Sequence, residues 1–154
     1  MRVSNIKQQT EEPRATARKD IRQQRFLSYF PRVFAYALGT TRDEDTAKQV
    51  TVAAFARAFS LPDMREHEFE VEIFRSARES GRAPVSRERQ SSDGLTPRER
   101  EVLSLVFDAQ LSRDQVARLL SLRPETVLGV LLKGLRKMRD PMPASRSHAM
   151  PGFA

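Results

Sequence analysis

The residues best suited to chemistry lie in the C-terminal stretch PETVLGVLLKGLRKMRD, Pro124 to Asp140. Lys133, Arg136, Lys137 and Arg139 recur there at helical spacing, a pattern that places ammonium and guanidinium groups where they can hold phosphates. Arg123 and Thr126, at the leading end, are the donors suited to base edges. Between the two sets runs Val127 to Leu132, which has no charge and no hydrogen-bonding side chain. At about 100° per residue, Val127, Leu131, Gly134 and Met138 share one core-facing arc, flanked by Val130 and extended by Leu128, Leu132 and Leu135. The apolar arc covers about 200°, twice what a surface helix needs to cover a core. Such a surplus points to a protein contact or to packing between domains.

Other chemistry is poorly supplied. The chain has no cysteine, so it has no disulfide, thiol nucleophile or cysteine zinc site. His67 and His148 are isolated, and there is neither a glycine-rich phosphate loop nor a paired nucleophile and base. No enzyme activity, cofactor or metal is expected. Net charge is +7. Residues 21–80 hold nine basic and nine acidic side chains, whereas 95–140 hold nine basic and six acidic. Only the second segment therefore has a balance compatible with a polyanionic partner. Arginine makes up 22 of the 27 basic residues, an excess that genome composition alone can produce. No apolar run is long enough to span a membrane, and the polar N-terminus lacks a signal-peptide core. The expected compartment is the cytoplasm.

The elements that must position these residues are helical throughout, with no strand-like alternation. Residues 1–20 are polar, contain Pro13 and are expected to be disordered. Phe26, Phe30, Val33, Phe34, Ala37 and Leu38 mark an amphipathic helix, with a kink or a join expected at Pro31. A helix over about 43–60 buries Ala47, Val50, Ala54, Phe55, Ala58 and Phe59, and a third over about 66–79 buries Phe69, Ile73, Phe74 and Ala77. Residues 81–94 form a Gly-, Pro- and Ser-rich linker able to span about 50 Å. Thr96-Pro97 with Glu99 then opens a capped helix, Ser112 caps the next, and Pro124 opens the last. Residues 141–154 are expected to be a second disordered tail. The fold class is all-α: two small helical domains, 21–80 and 95–140, on a linker that leaves their relative placement open.

The spacing of Val116, Ala117, Leu120, Leu122, Val127 and Leu131 is that of a helix-turn-helix, a spacing that a plain helical hairpin also shows. The segment LTPREREVLSLVFDAQLSRDQVARLLSLRPETV resembles the promoter-reading domain of bacterial RNA polymerase sigma factors, and the related effector domain of LuxR-type regulators. The ending LLKGLRKMRD is closer to the sigma factors. FLSYFPRVFAYALGTTRDEDTAKQVTVAAFARAF, followed by FEVEIFRSARES, resembles the core-binding domain of extracytoplasmic-function (ECF) sigma factors. The resemblance covers about 22–80 and 95–140. It implies a protein that binds core RNA polymerase through its first domain and promoter DNA through its second, and that an anti-sigma factor can hold inactive. The implied polymerase contacts are Lys48, Gln49 and Val52; the implied DNA contacts are Arg123, Thr126, Lys133, Arg136 and Lys137.

Three surfaces depart from the family pattern. Lys48, Gln49, Val52 and Ala53 stand where acids and a Gln-Glu pair are usual. Glu72 and Glu79 replace an aromatic residue and an asparagine on a third helix whose acids, with Glu66, Glu68 and Glu70, make its surface negative. Leu128, Val130 and Leu132 stand where basic or polar residues usually read bases. These departures motivate an alternative: a sigma-like interaction module, docking through Leu128, Val130 and Leu132 onto an anti-sigma factor or a partner regulator. A plain helix-turn-helix repressor is a third reading, and it needs a dimer interface that the sequence does not mark.

Overall fold

The computed structural model describes residues 8–82 and 93–140. Among them are six α-helices and no strand: α1 (Gln8–Thr41), α2 (Glu44–Ser60), α3 (Glu66–Ser80), α4 (Pro97–Phe107), α5 (Arg113–Leu120) and α6 (Pro124–Arg139). The expectations for residues 1–7, for 83–92 of the linker and for the tail from 141, including His148, fall outside the described residues.

α1 departs from expectation twice. It begins at Gln8, although disorder was expected up to residue 20. The segment is polar, but Ala, Arg, Lys, Glu and Gln are good helix formers. Its later turns are also tied down: Arg18 pairs with Asp63 at 3.1 Å and Arg22 donates to the Phe59 carbonyl at 3.1 Å. The helix then continues through Pro31 instead of dividing into two. Pro31 and Leu27, whose carbonyl loses its donor, both belong to the exposed side. On the other side Tyr29, Val33, Tyr36 and Ala37 are buried at i, i+4, i+7 and i+8 and hold both halves of the helix to the core.

α2 and α3 complete the first block. Asp43 caps α2 by accepting the Thr46 N–H at 2.8 Å. Phe69 of α3 stacks on Phe59 of α2 with centroids 5.6 Å apart and meets Tyr29 edge-on at 5.5 Å. The acids of α3, expected to form a negative surface, are instead paired with arginines. Glu66 meets Arg25, Glu68 meets Arg65, Glu70 meets Arg32, Glu72 meets Arg75 and Glu79 meets Arg57. Three of these cations come from α1 and α2, so the negative charge of α3 is balanced by arginines of the same block.

The second block, α4 to α6, packs against the first, and the two share one hydrophobic core. α1 lies against α4, and α3 meets α5. A Cβ on Gly39 of α1 would sit 2.5 Å from Ser104 Oγ and 2.7 Å from Asp108 Oδ2, so a larger residue would hold α1 and α4 apart. Arg32 acts as a clasp between the blocks. Its Nε donates to the Ala109 carbonyl at 2.8 Å while a second nitrogen meets Glu70 at 2.6 Å. The other Glu70 oxygen accepts from Gln115 of α5 at 2.8 Å. Arg78 and Glu101, 2.6 Å apart, join α3 to α4. Arg42 pairs with Asp93, just ahead of α4.

Candidate nucleic-acid interface

Two reciprocal caps build the second block locally. The Glu99 N–H donates to Thr96 Oγ1 at 3.2 Å and the Thr96 N–H donates back to Glu99 Oε2 at 2.8 Å. Ser112 and Gln115 repeat the arrangement at the start of α5. α5 buries Val116, Ala117, Leu119 and Leu120. It ends at Ser121, which takes the left-handed conformation (φ 55°) more usual for Gly or Asn. The Leu122 N–H then donates to the Ala117 carbonyl at 2.8 Å. This tight exit turns the chain into Arg123, the N-cap of α6, whose side chain makes no capping bond.

α6 packs only on α4 and α5 among the described elements. Val127 and Gly134 are its buried residues. A Cβ on Gly134 would come within 2.9 Å of Leu103 Cδ1, so the glycine sets how closely α6 lies on α4. Arg123, Thr126, Lys133 and Arg136 are exposed, and with Gly129 they fall at spacings of 3, 3, 4 and 3 along one outward stripe. Nothing lies within 4 Å of where a Gly129 Cβ would be, so bare backbone is open to a ligand in the middle of that stripe.

Lys137, grouped with these residues by sequence, points elsewhere. Its Nζ donates to Glu99 Oε2 at 2.8 Å, and Glu99 is 6% exposed. The Lys137 hydrogen bond, followed by the Thr96 N–H, holds the Glu99 carboxyl below the usual carboxylate range. Arg139 folds back on Asp140 at 2.8 Å. Leu128, Val130 and Leu132, grouped as one docking set, do not share a face. Val130 is half-buried against the core, whereas Leu128 and Leu132 are exposed together with Leu135.

On the first block, Lys48, Gln49 and Val52 are exposed on the outer side of α2. Lys48 bonds Glu44 at 2.8 Å and lies 3.7 Å from Asp45. Val52 is 68% exposed. Sequence reasoning missed an apolar patch on the neighbouring α1, where Phe26, Leu27 and Phe30 are all exposed. The Phe26 ring lies 4.9 Å from Phe55 of α2, so the patch borders the α1–α2 seam. Its signal was available: Phe26 and Phe30 belong to an α1 apolar arc that also holds Tyr29, Val33, Tyr36 and Ala37, more than one core face can bury.

Residues 93–140 match the family model for Sigma-70, region 4. The region 4 segment takes in α4, α5, the tight exit at Ser121 and all of α6, so the match and the geometry delimit the same unit. No curated protein matches the chain. No described helix is long and apolar enough to cross a membrane, and no metal-binding cluster of His, Cys, Asp or Glu occurs among the described residues.

Proposed function

We propose that the chain is a cytoplasmic sigma factor of the ECF type that binds core RNA polymerase and contacts promoter DNA through α5 and α6. The observation that carries this reading is the region 4 match over a helix-turn-helix whose outward stripe presents Arg123, Thr126, Lys133 and Arg136. Lys133 and Arg136 hold phosphates and fix register, while Arg123 and Thr126 supply the donors for base edges. Lys137 contributes indirectly, by holding α6 on α4 through Glu99. Because the first turns of α6 offer so few base-reading groups, most of the affinity is electrostatic and depends on salt. The outer side of α2, with Lys48, Gln49 and Val52, docks on polymerase, and the exposed Phe26, Leu27 and Phe30 extend that surface. An anti-sigma factor that covers either surface would silence the protein.

The test is fluorescence anisotropy of a labelled DNA duplex against salt concentration, with and without core polymerase. Neutralisation of phosphates by Lys133 and Arg136 sets a log–log slope of about −2. Absence of salt-dependent binding in both conditions would refute DNA contact by this stripe.

A further inference from the structure

α6 carries a second outward stripe, about 100° round the helix from the basic one. Leu128, Leu132 and Leu135 are 38%, 44% and 37% exposed, and no described element covers them, since α6 packs only on α4 and α5. Their spacing of four and three is that of a coiled-coil seam. The same spacing continues three residues back to Glu125 and four residues on to Arg139, both exposed. The stripe is therefore apolar in the middle, anionic at its leading end and cationic at its trailing end, over about 21 Å.

That order of charges identifies the occupant. Against an antiparallel copy of itself, Glu125 of each chain faces Arg139 of the other, and the leucines fill the seam between them. Against a parallel copy, glutamate would face glutamate and arginine would face arginine. A self-complementary patch of this kind is what a twofold, isologous interface requires. We infer that α6 pairs antiparallel with α6 of a second copy of this chain through Leu128, Leu132 and Leu135, with Glu125 and Arg139 fixing the orientation. The leucines supply the affinity. The charges mainly select the orientation, because exposed ion pairs add little. Arg139 exchanges its neighbour Asp140 for the opposing glutamate. The basic stripe stays at the rim of the pair, so the inference stands whether or not that stripe contacts DNA.

Three leucines on each side place the interface in the small class, below about 1,200 Å² in total, so the dimer is weak, with a dissociation constant on the order of 100 µM. The test is sedimentation equilibrium of the full chain from about 10 µM to 1 mM. Wild type should move from monomer to dimer across that range, and Leu132→Glu should remain monomeric. Glu125→Arg and Arg139→Glu should each weaken the dimer by about threefold to tenfold, and the double swap should restore it. Because both swaps are at exposed positions, they decide the matter even if Leu132→Glu fails to fold. A monomer throughout the range, or a dimer indifferent to Leu132→Glu, would overturn the inference. So would single swaps that leave the dimer as strong as wild type.

Discussion

The Lys137 ammonium donates to the Glu99 carboxylate at 2.8 Å, joining the last turns of α6 to the first turn of α4. Glu99 is both the reciprocal cap of α4 and the anchor of α6. Glu99→Ala should therefore cost about 1–3 kcal/mol of stability, from one lost cap and one lost charged hydrogen bond. Lys137→Met should cost less, because it leaves the Thr96 cap intact. The Glu99 carboxyl titrates below its unfolded value. Its contribution is thus complete above the unfolded value and disappears as pH falls through the folded one. Urea unfolding at a series of acidic pH values should show wild type losing more stability than Glu99→Gln.

Arg32 ties the first block to the second through Ala109 while holding Glu70 in place. Besides its bonds to Ala109 and Glu70, its guanidinium lies 5.2 Å from the Tyr29 ring and 5.6 Å from Phe74. Arg32→Ala should destabilise the protein by about 2–3 kcal/mol, because it leaves a half-buried carboxylate and a carbonyl short of donors. Hydrogen exchange is the sharper readout. Amides of α5, which rests on Glu70 through Gln115, should lose more protection than those of α2.

Two glycines of the same helix should respond in opposite directions. Gly129→Ala adds a methyl group into open space and should stabilise α6 by about 0.5–1 kcal/mol. Gly134→Leu pushes into Leu103 at the α4 crossing and should cost at least about 1–3 kcal/mol. Thermal unfolding of the two variants measures both.

The two DNA-facing cations and the anchored lysine separate in salt titrations. Lys133→Ala and Arg136→Ala should each reduce the magnitude of the salt slope of DNA binding by about 0.9. Lys137→Met should change it less, since its ammonium already serves Glu99. An equal loss from all three substitutions would mean that Lys137 leaves Glu99 for phosphate.

Features governed by neighbours in the chain were legible in the sequence. Thr96 with Glu99, Ser112 ahead of α5, Pro124 at the start of α6 and the burial of Val127 all follow from local chemistry. What stayed hidden depends on residues distant in the chain. Nothing near Lys137 announces that Glu99, 38 positions earlier, will take its ammonium. The acids of α3 read as a negative face because Arg25, Arg32 and Arg57, their partners, belong to other helices. On α1, Tyr29 and Tyr36 fill the core while Phe26 and Phe30 stay exposed. Their arcs adjoin on the helix, and only the positions of α2 and α3 decide which one is covered. The linker composition marked a division in sequence, but the clasp at Arg32 brings the two blocks onto one core.

The most direct test of the central claim is native recovery of the tagged full chain from its own cells, compared with Val52→Glu and analysed by mass spectrometry. Stoichiometric recovery of the large RNA polymerase subunits is expected with wild type, and their loss with Val52→Glu, whose helicity should be unchanged. Wild type that comes down without polymerase, alone or with one small partner, would contradict that claim.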